Sequence, residues 1–193
     1  MTPTTDERTL AYINMYAILG GLTALCDIVT EAGALLGRTS CSIGFAVKDG
    51  PHATLNFVGG RCRLTDGTDD SDILLRFPSC EKFNKMITGE YTPVPVRGLT
   101  KVSFLLGKFK KLTDLLEAYL RPTSDKQLDD GFMRQSTLIM FRVIVAAVAQ
   151  IGNYDKIGSF SASNIVDGVI KFEIIGCAKA ALAVDGHRLT LLD

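Results

Sequence analysis

The side chains that could do chemistry are few: two histidines, five scattered cysteines and a short run of aspartates. Acid–base or nucleophilic catalysis needs such groups converging on one point. His52 stands between Pro51 and Ala53 where a strand begins, and His187 falls in a turn near the end of the sequence; both read as exposed turn residues. Cys80 opens a helical stretch, where the helix dipole lowers a thiol pKa, but Glu81 beside it opposes that effect. A capping-turn position is the plainer reading of Cys80. An acyl-type enzyme using Cys80 or a pocket carboxylate is the reading that survives if the thiol is reactive. Asp66, Asp69, Asp70 and Asp72 lack the loop pattern of a calcium site and read as a solvated turn. Neither "LGRTS" nor "LLGKFKK" is a phosphate-cradling loop. No catalytic residue, metal or cofactor is therefore expected.

Cys26, Cys41, Cys62, Cys80 and Cys177 form no C-x-x-C pair, and their odd number argues against a disulfide framework or structural zinc. They read as reduced core thiols of a cytoplasmic protein. Lys+Arg and Asp+Glu balance at 21 each, so no net field draws the chain to nucleic acid. Hydrophobic residues make up 47%, which raises the question of where so much apolar surface goes. Lys108, Lys110 and Lys111 open a helix and face either solvent or the head groups of a transiently contacted membrane.

Those residues must be positioned by regular elements, and the periodicity names them. Arg8 to Leu36 reads as helix, kinked at Gly20-Gly21. Within it, "LAYINMYAILGGLTALC" follows an acidic "TDER" rather than a basic leader and falls short of about 20 residues, so it reads as a buried or partner-facing helix. "CSIGFAV", "HATLNFV", "RCRLTDG" and "ILLRF" alternate with period two between glycine turns, the mark of a sheet covered on one face. "SCEKFNKMITG" changes to helical spacing, with Ser79 as N-cap and Gly89 as stop. "TKVSFLLG" reads as a further strand through Val102, Phe104 and Leu106, and "KFKKLTDLLEAYLRP" as a helix. After the polar linker "TSDKQLDDG" comes an apolar helix from about Phe132 to Ile151, interrupted by Arg142, then three strands, the last two joined at Asp185-Gly186.

The stretch "ATLNFVGGRCRLTDGTDDSDILLRFPSCEKFNKMITGEYTPVPVRGLTKVSFLLGKFKKLTDLLEAYL" resembles the sterol carrier protein 2 (SCP2-like) family. The likeness lies in the strand–glycine turn–strand, the acidic "DSDILLRF" strand, a helix ending "ITGE", a proline loop and "GLTKV". It covers about Cys41 to Pro122, roughly two fifths of the chain. The resemblance implies an α+β fold, with a mostly antiparallel sheet and helices around an apolar cavity. It further implies binding or transfer of an acyl chain, sterol or similar ligand without chemistry. The segment between Gly89 and Gly98 is shorter than the family's usual loop, and the residues after Pro122 lie beyond its standard domain. The expected organisation is a helical segment over 1–40, the SCP2-like lipid-binding core over 41–122, and a helix with strands over 123–193 packed on the same domain.

The expected ligand-lining residues are Phe83, Met86, Ile87, Tyr91, Val94, Val96, Phe104, Leu106, Leu112, Leu115, Leu116 and Tyr119, apolar side chains that either close into core or leave a pocket. Pro93 and Pro95 stiffen "TPVPV" into an extended strap, which either frames that pocket or merely connects two elements. The alternative to a carrier is an interaction module, a homodimer or accessory subunit, with the two apolar helices buried against a partner.

Overall fold

The computed structural model describes residues 6–122, 129–155, 164–165 and 167–192 and shows an α+β fold. The N-terminal run is α1 (Glu7–Ile13), a π turn (Asn14–Leu19), α2 (Gly21–Ile28) and α3 (Thr30–Leu36). Asp6 caps it by accepting from the Thr9 amide, and the π turn closes with Gly20 N–H donating to Met15 O at 3.1 Å. The kink expected at Gly20-Gly21 is this wide turn, and a second break falls at Val29, whose extended backbone separates α2 from α3. Together Glu7–Ile28 makes 22 helical residues, longer than the apolar run in the sequence suggested and long enough to cross a membrane. Here 56% of its apolar window is buried inside the fold.

Four strands follow: β1 (Ser40–Val47), β2 (His52–Val58), β3 (Arg61–Asp66) and β4 (Ile73–Phe77). With β5 (Pro95–Arg97) they form one sheet in the order β3-β2-β1-β4-β5, antiparallel except for the parallel pair β1–β4. That parallel pair requires the chain to cross between β3 and β4. The crossing passes over Gly44, where an added Cβ would collide with Ser71. Reciprocal bonds hold the seam: Ser42 N–H donates to Asp72 Oδ2 at 2.9 Å, and Asp72 N–H donates to Ser42 Oγ at 2.8 Å. Lys101 adds an ion pair to Asp72 at 2.6 Å, and this holds the Asp72 carboxyl below the usual aspartate range.

α4 (Cys80–Ile87) is capped by Ser79, whose hydroxyl accepts from the Lys82 amide, as its sequence predicts. The strap supplies β5, which pairs with β4 through Leu74–Arg97 and Leu75–Pro95. The strand expected over Val102–Leu106 is not one. Leu99–Lys101 is a 3₁₀ turn, α5 spans Val102–Phe104, and Leu105–Phe109 is a second π turn leading into α6 (Lys110–Leu120). A π turn brings residues five apart onto one face. Phe104 and Phe109 both reach Phe57, with ring centroids at 5.3 and 6.2 Å. A strand would have put Phe104 and Leu106 together; instead Phe104 is buried and Leu106 is exposed.

Thr123 to Leu128, most of the polar linker, lies outside the described residues. α7 (Asp130–Tyr154) is longer than the apolar run indicated and is capped by Asp129. Like the N-terminal run, it is long and apolar enough to cross a membrane; 39% of its apolar window is buried inside the fold. The tail strands β6 (Gly168–Ile174), β7 (Ala178–Asp185) and β8 (Arg188–Leu192) form a separate antiparallel sheet, with the expected turn at Asp185-Gly186. α7 serves both parts. Ile139 joins the main core, while Val145 and Ala149 pack with Leu182, Val184 and Leu189 of the tail.

Candidate functional site

The side chains expected to line a pocket separate into three groups. Phe83, Phe104, Leu112, Leu116 and Tyr119 are buried in the main core. Met86, Ile87, Tyr91 and Leu115 are half-buried and pack against that core. Val94, Val96 and Leu106 face solvent. β5 explains the exposure: once paired to β4 at the sheet edge, the strap displays its valines outward. Between sheet and helices the aromatic rings meet directly. Phe83 stands edge-on to Phe77 at 5.2 Å and to Phe45 at 6.4 Å, the T-shaped geometry that ring quadrupoles favour.

A concavity with room for a ligand lies elsewhere, between the N-terminal helices, β3, α7 and β8. Its volume is about 340 Å³, within the lower range of small-molecule sites. Its floor is apolar and made of small residues: Ala17, Gly21 and Ala24 on one helix, Val143 and Ala146 on the other, with Leu189 closing one end. Gly21 sets the helix separation, because a Cβ there would come within 2.9 Å of Val143 Cγ2. None of the expected lining residues belongs to this cleft.

Three anchors hold it. Tyr16 O–H donates to Asp66 Oδ1 at 2.7 Å, tying the π turn to β3. Burial, reinforced by that carboxylate, pushes the Tyr16 phenol well above its ordinary pKa. Tyr154 stacks on Tyr12 with centroids 3.5 Å apart, and burial raises its phenol as well. Asn153 brackets Leu189, with its amide donating to Leu189 O and its Oδ1 accepting from Leu189 N–H, both at 2.8 Å. This clamp fixes β8 against α7.

The rim is charged. Arg63, Asp66, Arg142 and Arg188 are exposed around the opening. Arg63 is ion-paired to Asp27 at 3.1 Å. Beneath Arg63, the Cys62 and Cys26 thiols share a hydrogen bond, which raises Cys62 and lowers Cys26.

The chemistry-bearing residues of the sequence are placed apart from the cleft, Asp66 excepted. Burial pushes the Cys80 thiol up, opposite to what a nucleophile needs, and its Sγ donates to Asp49 O at 3.9 Å. The His52 ring Nε2 lies 3.0 Å from Val47 O at the sheet's end, and His187 sits at φ +68° in the tail hairpin. Among the described residues no group of three or more His, Cys, Asp or Glu side chains is placed to hold a metal. Sequence reasoning missed the cleft, although two signals pointed to it: Arg142 interrupting an apolar helix, and the small residues Ala17, Gly21 and Ala24 spaced to share a helix face.

Compared with known proteins, the chain matches no family model and no curated protein.

Proposed function

We propose that the protein binds a lipid-like ligand, an acyl chain or comparable apolar molecule, and carries it without chemistry. The observation that supports this best is the cleft of about 340 Å³, whose floor is built from Ala17, Gly21, Ala24, Val143 and Ala146 beneath a polar rim. This places the proposed site between the N-terminal helices, β3, α7 and β8 rather than between the main sheet and its covering helices. The resemblance of Cys41–Pro122 to the SCP2-like family supports the same reading, and unbridged thiols at all five cysteines suit a carrier working in the cytoplasm.

Native mass spectrometry of the purified chain, and titration with dodecanol followed by tyrosine fluorescence, test it. The sequence holds no tryptophan, and Tyr16 and Tyr154 border the cleft, so occupancy changes their emission. Saturable binding that is lost in Ala146→Leu, which fills the floor, is the expected result. A chain that retains no apolar molecule and shows no saturable response removes the proposal.

A second reading, an interaction module, is favoured by a different observation. Ile144, Val148 and Ile151 recur along α7 at helical spacing and are 59%, 38% and 41% exposed. Light scattering that shows a dimer, dispersed by Ile144→Ser, supports self-association through this face; a monomer at all concentrations excludes it.

A further inference from the structure

The cleft has two unlike ends, and the pairing of its helices places each residue at one of them. Gln135 Nε2 donates to Ile28 O at 3.4 Å, Gly21 meets Val143, and Tyr12 stacks on Tyr154. The N-terminal helices and α7 therefore run antiparallel along the cleft. Arg142 belongs to the end beside Thr23 and Ala24, and Arg63 closes this end from β3, where its partner is Asp27 of α2. Arg188 precedes Leu189, which Asn153 clamps, so it belongs to the opposite end, near Tyr154. Eleven residues of α7 separate Arg142 from Asn153, about 16 Å along the axis.

The electrostatics of the ends differ as well. At the Arg188 end stands the Asp66 carboxylate, which already accepts from Tyr16. At the Arg142 end, the Asp27 carboxylate is engaged by Arg63. Arg142 has no ion pair or hydrogen bond among the described residues, and Thr23, whose hydroxyl is engaged by the Cys62 thiol, lines the same end. Arg142 is also the one charged side chain that α7 places between Met133 and Tyr154 outside Arg134 at its start. An unpaired guanidinium at the mouth of an aliphatic trough suits a ligand with an anionic head and an apolar tail, because guanidinium and carboxylate meet in charge-assisted hydrogen bonds.

Resting on the ligand-binding reading above, we propose that the ligand is a single-chain anionic amphiphile of the fatty-acid type. Its carboxylate is held by Arg142, with Arg63 and Thr23 beside it, and its chain lies along Ala24, Gly21, Ala146 and Ala17 toward the tyrosine end. Arg142 is thus a specificity residue, and Arg188 is not.

The test compares dodecanoate, dodecanol and acetate on the full chain, by calorimetry and by tyrosine fluorescence. Dodecanoate is expected to bind about tenfold more tightly than dodecanol. Arg142→Gln should abolish that preference by bringing dodecanoate to the affinity of dodecanol, Arg142→Lys should restore part of it, and Arg188→Gln should keep it. Arg142 is exposed, so folding is not at stake in these variants, and circular dichroism verifies it. Equal affinity for dodecanoate and dodecanol, or a preference that survives Arg142→Gln, overturns the head-group assignment and leaves ligand binding intact. Acetate binding as tightly as dodecanoate marks a small-anion site and also overturns it. Failure of both long-chain probes overturns the ligand-binding reading itself, and this inference with it.

Discussion

Two interfaces of this molecule use similar residues to opposite ends. Under the five-stranded sheet, Phe45 and Phe77 meet Phe83 edge to face, Phe57 meets Phe104 at a tilt, and the space closes. Between the N-terminal helices and α7, alanine and glycine face valine and alanine, and the space stays open. Both surfaces are apolar; side-chain volume decides which becomes interior and which becomes trough. The open interface is then held at its ends by polar anchors, Tyr16–Asp66 and Asn153–Leu189, rather than by packing. A filled core draws its stability from area removed from water, whereas a cleft must take it from its edges.

The contrast can be broken most forcefully on the filled side. Phe57→Ala removes a fully buried ring and should cost about 3–5 kcal/mol in urea unfolding. Gly44→Ala presses a methyl into the Ser71 crossover and should cost about 1–3 kcal/mol in the same assay. On the open side, Tyr16→Phe deletes the bond to Asp66 and should cost only about 1 kcal/mol, while altering ligand affinity, which the core variants that remain folded should not do.

Acid and alkali load these contacts without mutation. Tyr16 and Tyr154 titrate higher in the folded chain than in the unfolded one, so their contribution is complete below the ordinary tyrosine value of about 10 and is lost as pH rises through the folded values. Asp72 titrates lower when folded, so its contribution holds above the ordinary aspartate value and is lost as pH falls through the folded one. Unfolding followed across pH should therefore show an alkaline limb weakened by Tyr16→Phe with Tyr154→Phe, and an acid limb weakened by Asp72→Asn. The smallest effect belongs to the strap: Val94→Ser should change stability by less than about 0.5 kcal/mol, since its side chain is 74% exposed.

Much of the filled region was legible in the sequence because each of its elements carries its own period. The four strands alternate, and Ser79 and Gly89 bound α4. Misreading came where local pattern and tertiary demand disagree. Val102, Phe104 and Leu106 alternate, yet Phe57 and the π turn put Phe104 with Phe109. The cleft was not legible as a site, because Ala17, Asp66, Arg142 and Leu189 lie far apart in the chain and share no periodicity. Only the misplaced charge of Arg142 in an apolar helix and the small-residue spacing of Ala17, Gly21 and Ala24 marked it.

The wide turn at Asn14–Leu19 works like an angular index on a shaft. One residue of helix corresponds to about 100° of rotation. Deleting a single residue there would restore the tighter winding and swing everything upstream by that angle. Tyr12 would leave Tyr154 and Asn14 would leave Asn84, while Gly21 and Ala24 kept their seats against α7. Each half of the N-terminal rod is thus keyed to its own contacts, and the surplus residue between them sets the phase.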